Sequence, residues 1–271
     1  MHMYMFGIDA FTDHAFAGNP AVVCLLATEA DPDWMQQVAA EFGVSETAFV
    51  VTRQGGFGLR WFTPRVEVAL CGHATLAAAH VLWHSTGQVI GYNKIKFFTA
   101  SGVLQAARIR DADNVEQIEL EFPAEPPTPC DLDVRFLQAL GVKRARYIGR
   151  NRLDYILELD HEQQVWKLAP EFGVLRDLQA RGMIVTAPSD SREEYDFVSR
   201  FFAPGVGIDE DPVTGSAHCC LGPYWQNQLG ESELVGYQAS RRGGFVKVRS
   251  VLDKVFLSGA AIQVWRGEFS A

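Results

Sequence analysis

The 271-residue sequence predicts an α+β protein built as two related halves. Three observations carry that expectation. Short runs with period-two or β-rich character dominate the chain. Two Ala-rich apolar runs, 74–83 and 217–225, each follow a glycine flanked by polar residues, Gly72-His73-Ala74 and Gly215-Ser216-Ala217. Near the midpoint, 123–129 holds four prolines in seven residues, which suits an extended spacer and not a sheet interior.

The first helix is expected where Asp31-Pro32 offers an N-cap and a proline at the first helical position. Trp34, Val38 and Phe42 then recur at i, i+4 and i+8 on one face, and Gly43 is placed to end it. Strand signals follow at 58–63 and 66–70. The run 74–83 is apolar on nearly every side, and a helix of that kind is buried. Further strands are expected at 96–100 and at 117–122, where Ile118, Leu120 and Phe122 alternate with Gln117, Glu119 and Glu121. Beyond the spacer, strands are expected at 155–160, 183–187, 245–249 and 255–258, and surface helices at 133–140 and 192–200. The second apolar run, 217–225, resembles the first but contains Pro223.

Composition narrows the function. The formal charge is −9, which argues against a nucleic-acid groove, since phosphate contacts need clustered Lys and Arg. No apolar stretch approaches the roughly 18 residues of a membrane span. The five cysteines show no C-x-x-C spacing, and Cys219-Cys220 are adjacent, so reduced, buried thiols are expected. The first residues lack a basic region followed by an apolar stretch, so no signal peptide is expected and the cytoplasm is the expected location.

The chemistry is expected at the two glycines. A helix N-terminus leaves backbone N–H groups free and favours negative charge, so two such starts offer two anion sites. Glu46 lies upstream of the first, and Asp211 just before the second. This is a geometry for proton transfer on a small carboxylic acid.

Several motifs occur in order: Asp9-Ala10-Phe11-Thr12 with Gly18-Asn19-Pro20-Ala21, Ser45-Glu46-Thr47-Ala48-Phe49, Phe62-Thr63-Pro64, Cys71-Gly72-His73-Ala74-Thr75, and Asp211 through His218. Together they resemble the phenazine-biosynthesis PhzF-like family of the diaminopimelate epimerase superfamily, from about residue 5 onward. The resemblance implies a diaminopimelate epimerase-like fold of two pseudo-symmetric lobes, each a mostly antiparallel sheet or barrel wrapped around a central helix. Lobe one would be 1–122 with a returning strand at 261–271, lobe two 130–260, with the active site in the cleft between them. It also implies a homodimer and an isomerase of class EC 5 that needs no cofactor and no metal.

The resemblance assigns Glu46 as the acid/base, with Asp211 and His73 as its catalytic partners. Asn19, Gly72, Gly215 and Ser216 would contact substrate. Residues Phe42, Val44, Ala48, Phe49 and Val50 around Glu46 are apolar, and burial raises the proton affinity of a carboxylate. On local sequence alone Glu46 reads equally as a turn cap or the partner of a surface arginine, and Asp211 as an ordinary helix-opening turn. Two other functions stay open: an amino-acid racemase using Cys71, and a binding protein without catalysis. Cys71 stands where the superfamily's amino-acid epimerases carry a proton-exchanging cysteine, but Pro212-Val213-Thr214 supplies no second one. His80 and His84, at i and i+4, have zinc-compatible spacing but no evident third ligand.

Overall fold

A computed structural model describes residues 2–111 and 114–270. Met1, Ala112, Asp113 and Ala271, which the expected lobe boundaries include, lie outside the described residues. The chain divides into two compact units, one of residues up to Phe122 together with those from Phe256, the other Pro123–Val255.

The first unit opens with β1 (His2–Ala10) and β2 (Asn19–Leu26), followed by α1 (Pro32–Phe42), β3 (Glu46–Arg53), β4 (Gly56–Phe62) and β5 (Glu67–Val68). Next come α2 (Gly72–His84), β6 (Lys94–Thr99), β7 (Gly102–Arg110) and β8 (Glu116–Pro123). Helix α1 has the ends its sequence specifies. The Asp31 side chain accepts from the Asp33 and Trp34 amides, and Gly43 closes the helix at φ +61°. Helix α2 is buried on nearly all sides and packs against β1, β2, β3 and β7, so the strands of this unit enclose it.

The second unit contains β9 (Thr128–Pro129), α3 (Val134–Ala139), β10 (Tyr147–Arg150), β11 (Asp154–Glu158), α4 (Glu162–Trp166), α5 (Phe172–Leu175), β12 (Gly182–Pro188) and β13 (Phe197–Phe202). Helix α6 (Gly215–Leu229), β14 (Glu233–Gln238) and β15 (Gly244–Val251) follow. Strand β16 (Lys254–Gly259) crosses the division, and β17 (Ala261–Ser270) returns to the first unit to pair antiparallel with β1, Ala10 opposite Ala261 and His2 opposite Ser270.

The pairings show the same plan twice. In the first unit β1–β2 is antiparallel, β2–β3 parallel, β3–β4 antiparallel, β4–β6 parallel and β6–β7 antiparallel. In the second, β10–β11 is antiparallel, β11–β12 parallel, β12–β13 antiparallel, β13–β14 parallel and β14–β15 antiparallel. Helix α1 bridges the first parallel pair of one unit, as α4 and α5 do in the other. Helices α2 and α6 fall inside the second parallel connection of each. A parallel pair requires a crossover, which accounts for the repeated helix positions.

Pro223 sits inside α6 without ending it. A proline there removes the N–H that would bond the Cys219 carbonyl. The Glu125 amide, from the proline-rich segment, donates to that carbonyl instead at 3.0 Å. The helix expected at 192–200 is not formed. Its charged half, 192–196, is irregular, and Phe197–Phe202 is the strand β13. Five of those six residues are buried, and aromatic and β-branched side chains fill a covered strand better than a surface helix. Of the strand expected at 66–70 only Glu67–Val68 pairs.

Candidate active site

At the start of α2 the sequence brings three residues onto His73. Glu46 is the first residue of β3 and Asn19 the first of β2, so the parallel β2–β3 pair delivers both from neighbouring strand ends. Glu46 Oε2 lies 3.0 Å from His73 Nε2, with side chains 12% and 5% exposed. The approach is an ion contact and not an aligned hydrogen bond; neither atom has an aligned partner among the described residues. On the other side of the ring, Nδ1 lies 3.2 Å from Asn19 Nδ2 and 3.5 Å from Cys71 Sγ.

This arrangement fixes the proton logic. Burial opposes a charge on His73, but the Cys71 sulfur and the Glu46 carboxylate outweigh it and hold the imidazole well above its ordinary 6.5. Burial, and then Glu46, push the Cys71 thiol up, so it stays protonated and neutral at neutral pH. The charge that retains the His73 proton is therefore that of Glu46. A neutral ring would carry its proton on Nε2, toward Glu46, and accept from the Asn19 amide at Nδ1. A charged ring calls for the amide to turn its carbonyl to Nδ1.

Glu46, Cys71 and His73 also bring oxygen, sulfur and nitrogen donors within 4.8 Å of one another. A zinc-like cation accepts such a set. The two ring nitrogens, however, face different partners: Nε2 meets the carboxylate, Nδ1 the thiol. The three residues thus also form a chain through the imidazole. The His80 and His84 rings lie 4.6 Å apart, tilted by 42°, and His84 Nε2 meets Glu116 Oε1 at 2.8 Å.

Residue Cys71 is the N-cap of α2, and its side chain makes no capping bond. Thr75 Oγ1 donates to the Cys71 carbonyl at 2.5 Å, which fixes the first turn from within. The amides at Gly72 and His73 therefore stand at a helix start with no side-chain cap, suited to an anion.

The second helix start lies in the other unit and uses different chemistry. Thr214, the N-cap of α6, also makes no capping bond. Its hydroxyl donates to Asp211 Oδ2 at 2.5 Å, and its amide donates to Gln238 Oε1 at 2.9 Å. Gln238 Nε2 donates in turn to the Asp211 carbonyl at 2.7 Å and to Thr214 Oγ1 at 3.1 Å. Asp211 is thus held in place by a fully buried glutamine on β14. Ser216 Oγ accepts from Arg181 Nη1 at 2.9 Å, and both remaining forks of Arg181 engage Asp154. Gly215 is buried at the first helical position, with Ser216 next to it and partly exposed.

Sequence reading missed Arg181, Asp154 and Gln238. Each reaches its partner over 24–35 residues of chain, and none lies in a motif.

Two units with one strand plan, each holding a helix with an uncapped start, define an epimerase-like α+β fold. A hydroxyproline epimerase from Agrobacterium vitis shares the fold, with a TM-score of 0.64 over 98% of this chain and 92% of that one; at 8% identity the likeness is one of fold alone. The chain belongs to the phenazine biosynthesis-like PhzC–PhzF family, whose model matches residues 8–267. A relative from Halalkalibacterium halodurans, described as an uncharacterised isomerase, is 51% identical over 262 residues, 96% of both chains. The crystal structure of a PhzF-family phenazine biosynthesis protein from Enterococcus faecalis matches with a TM-score of 0.92 and 37% identity over 100% of both chains. Among the described residues no helix is long and apolar enough to cross a membrane.

Proposed function

We propose that this protein is an isomerase that moves a proton between carbons of a small carboxylic acid, with Glu46 as the acid/base. The observation that carries this reading is the Glu46–His73 contact at 3.0 Å between two nearly buried side chains at a helix start, in a chain whose relatives are described as isomerases. In the reaction a Glu46 oxygen takes a proton from one substrate carbon and returns it to another, so no atom is gained or lost. Charge that develops on the substrate is stabilised by the amides at Gly72 and His73, and in the other unit the amides at Gly215 and Ser216 suit a carboxylate. Asn19 orients the substrate, and Asp211 is the polar group held beside the start of α6.

His73 serves this step through its poor alignment with Glu46. A proton shared fully with Glu46 would weaken the carboxylate as a base. The off-line contact lets Nε2–H turn to a substrate oxygen, which leaves Glu46 free to accept from carbon. A Cys71-based racemase fits the site less well, because the thiol is buried and held protonated.

The test is solvent-deuterium incorporation followed by NMR. The protein is incubated in D₂O with dihydro-hydroxyanthranilate and a panel of small amino and hydroxy acids, beside a Glu46→Gln control. Exchange at one carbon that disappears in the control supports the reading. Undiminished exchange in the control removes Glu46 from the chemistry, and binding without exchange on every compound favours a non-catalytic protein.

A further inference from the structure

The repeated strand plan gives the Glu46 cluster a counterpart. In the first unit the parallel pair β2–β3 begins at Asn19 and Glu46, and both side chains meet the second residue of α2, His73. In the second unit the parallel pair β11–β12 begins at Asp154 and, one residue ahead of Gly182, Arg181. Arg181 meets the second residue of α6, Ser216, and Asp154 holds Arg181. In strand order Arg181 stands one residue before the place that Glu46 takes, Asp154 begins its strand as Asn19 does, and Ser216 holds the helical position of His73. We infer that Arg181 is a positioning residue that acts through Ser216 to orient the carboxylate of the substrate. The inference rests on the proposed role of Ser216 as a carboxylate contact.

Hydrogen-bond direction carries the argument. The Asp154 side chain is fully buried, with 0% exposed, and takes two of the three Arg181 donors that the structure engages. The Phe201 ring lies under the guanidinium, 5.2 Å from centroid to Cζ, and fixes its plane. The remaining fork, Nη1, donates to Ser216 Oγ at 2.9 Å. Arginine has donors only, so the serine oxygen accepts and its own proton points away from the fork. Ser216 then presents O–H beside the α6 amides, which is the polarity a carboxylate requires. Asp154 offsets the arginine charge, so Arg181 supplies direction and not a long-range charge trap.

The probe is benzoate, titrated into the isotope-labelled full-length protein, with binding read from the amide shifts of Gly215, Ser216 and Ala217. Arg181→Lys keeps a cation on Asp154 but cannot fill the fork and reach Ser216 together. We expect Arg181→Lys and Ser216→Ala each to weaken benzoate about fivefold, the worth of one hydrogen bond. The double variant is expected to be no weaker than Ser216→Ala, since both changes remove one interaction. Should Arg181→Lys fail to fold, Arg181→Gln combined with Asp154→Asn removes the fork without stranding a buried charge. Unchanged affinity in the Arg181 variant, or losses that multiply in the double variant, would overturn the inference while Ser216 keeps its role. Wild-type amides that do not respond to benzoate, or an unweakened Ser216→Ala, would overturn the role of Ser216 itself.

Discussion

The starts of α2 and α6 occupy the same place in a repeated strand plan, yet they are built for different work. At α2 the second helical residue is a histidine between a carboxylate and a buried thiol held protonated. At α6 it is a serine under an arginine fork, with Asp211, Thr214 and Gln238 bonded into one network beside it. Under the proposed function the first start carries the proton and the second holds a carboxylate. One strand plan thus carries two helix starts without a side-chain cap, and the residues at the strand ends give each its own surroundings.

The sharpest way to break this contrast is at Glu46. Glu46→Gln removes the acid/base while preserving shape, and should lower proton exchange about a thousandfold, within the range for general acid–base groups. Its urea midpoint should fall at neutral pH, because His73 loses the charge that retains its proton, while the circular dichroism spectrum stays that of the wild type. A variant that retains exchange would place the chemistry elsewhere.

The buried histidines respond to pH with two opposite signs. Burial lowers His218 in α6 and His80 in α2 to about 4, with the His84 charge adding to the effect at His80. A histidine neutral in the fold and near 6.5 when unfolded stabilises fully above pH 6.5. It loses that contribution as pH falls toward 4, up to about 3 kcal/mol for each. His73 has the opposite sign: its raised value stabilises below pH 6.5 and is lost as pH rises through the folded value. Thermal midpoints measured from pH 7 down to 4 should therefore fall, and His80→Phe should flatten the slope. An unchanged slope in that variant would mean His80 is not neutral in the fold.

At α6, Gln238→Leu would strand the Thr214 amide and the Asp211 carbonyl. We expect a loss of about 2–3 kcal/mol in urea unfolding. A loss under 0.5 kcal/mol would show that the Asp211 loop does not depend on the glutamine. The smallest effect is expected at Cys71. Cys71→Ala should keep turnover within about fivefold, since a buried, protonated thiol is a poor proton carrier. A hundredfold loss would restore the cysteine to the chemistry.

Much of the fold could be read from local pattern. The cap at Asp31, the stop at Gly43 and the all-round apolar run after Gly72 act over one or two turns, and the helices form there. Strand Phe197–Phe202 was obscured by the charged run 192–196 before it, whose composition suits a helix. The motifs name Glu46 and His73 only through a family resemblance, and their contact at 3.0 Å is visible only in the fold. The Arg181–Asp154 fork follows from no motif, because it exists only once two strands pair in parallel.

Strand β17 has its register on β1, a partner that precedes it by the whole of the second unit. On the ribosome, β1 must wait with that edge open while the intervening residues emerge. Pairing over such a separation is slow to form and exposes strand edges to wrong partners. The unit that carries Glu46 and His73 is thus completed after the unit that carries Ser216 has been fully synthesised, and a chaperone that shields an open β1 edge would act during that interval.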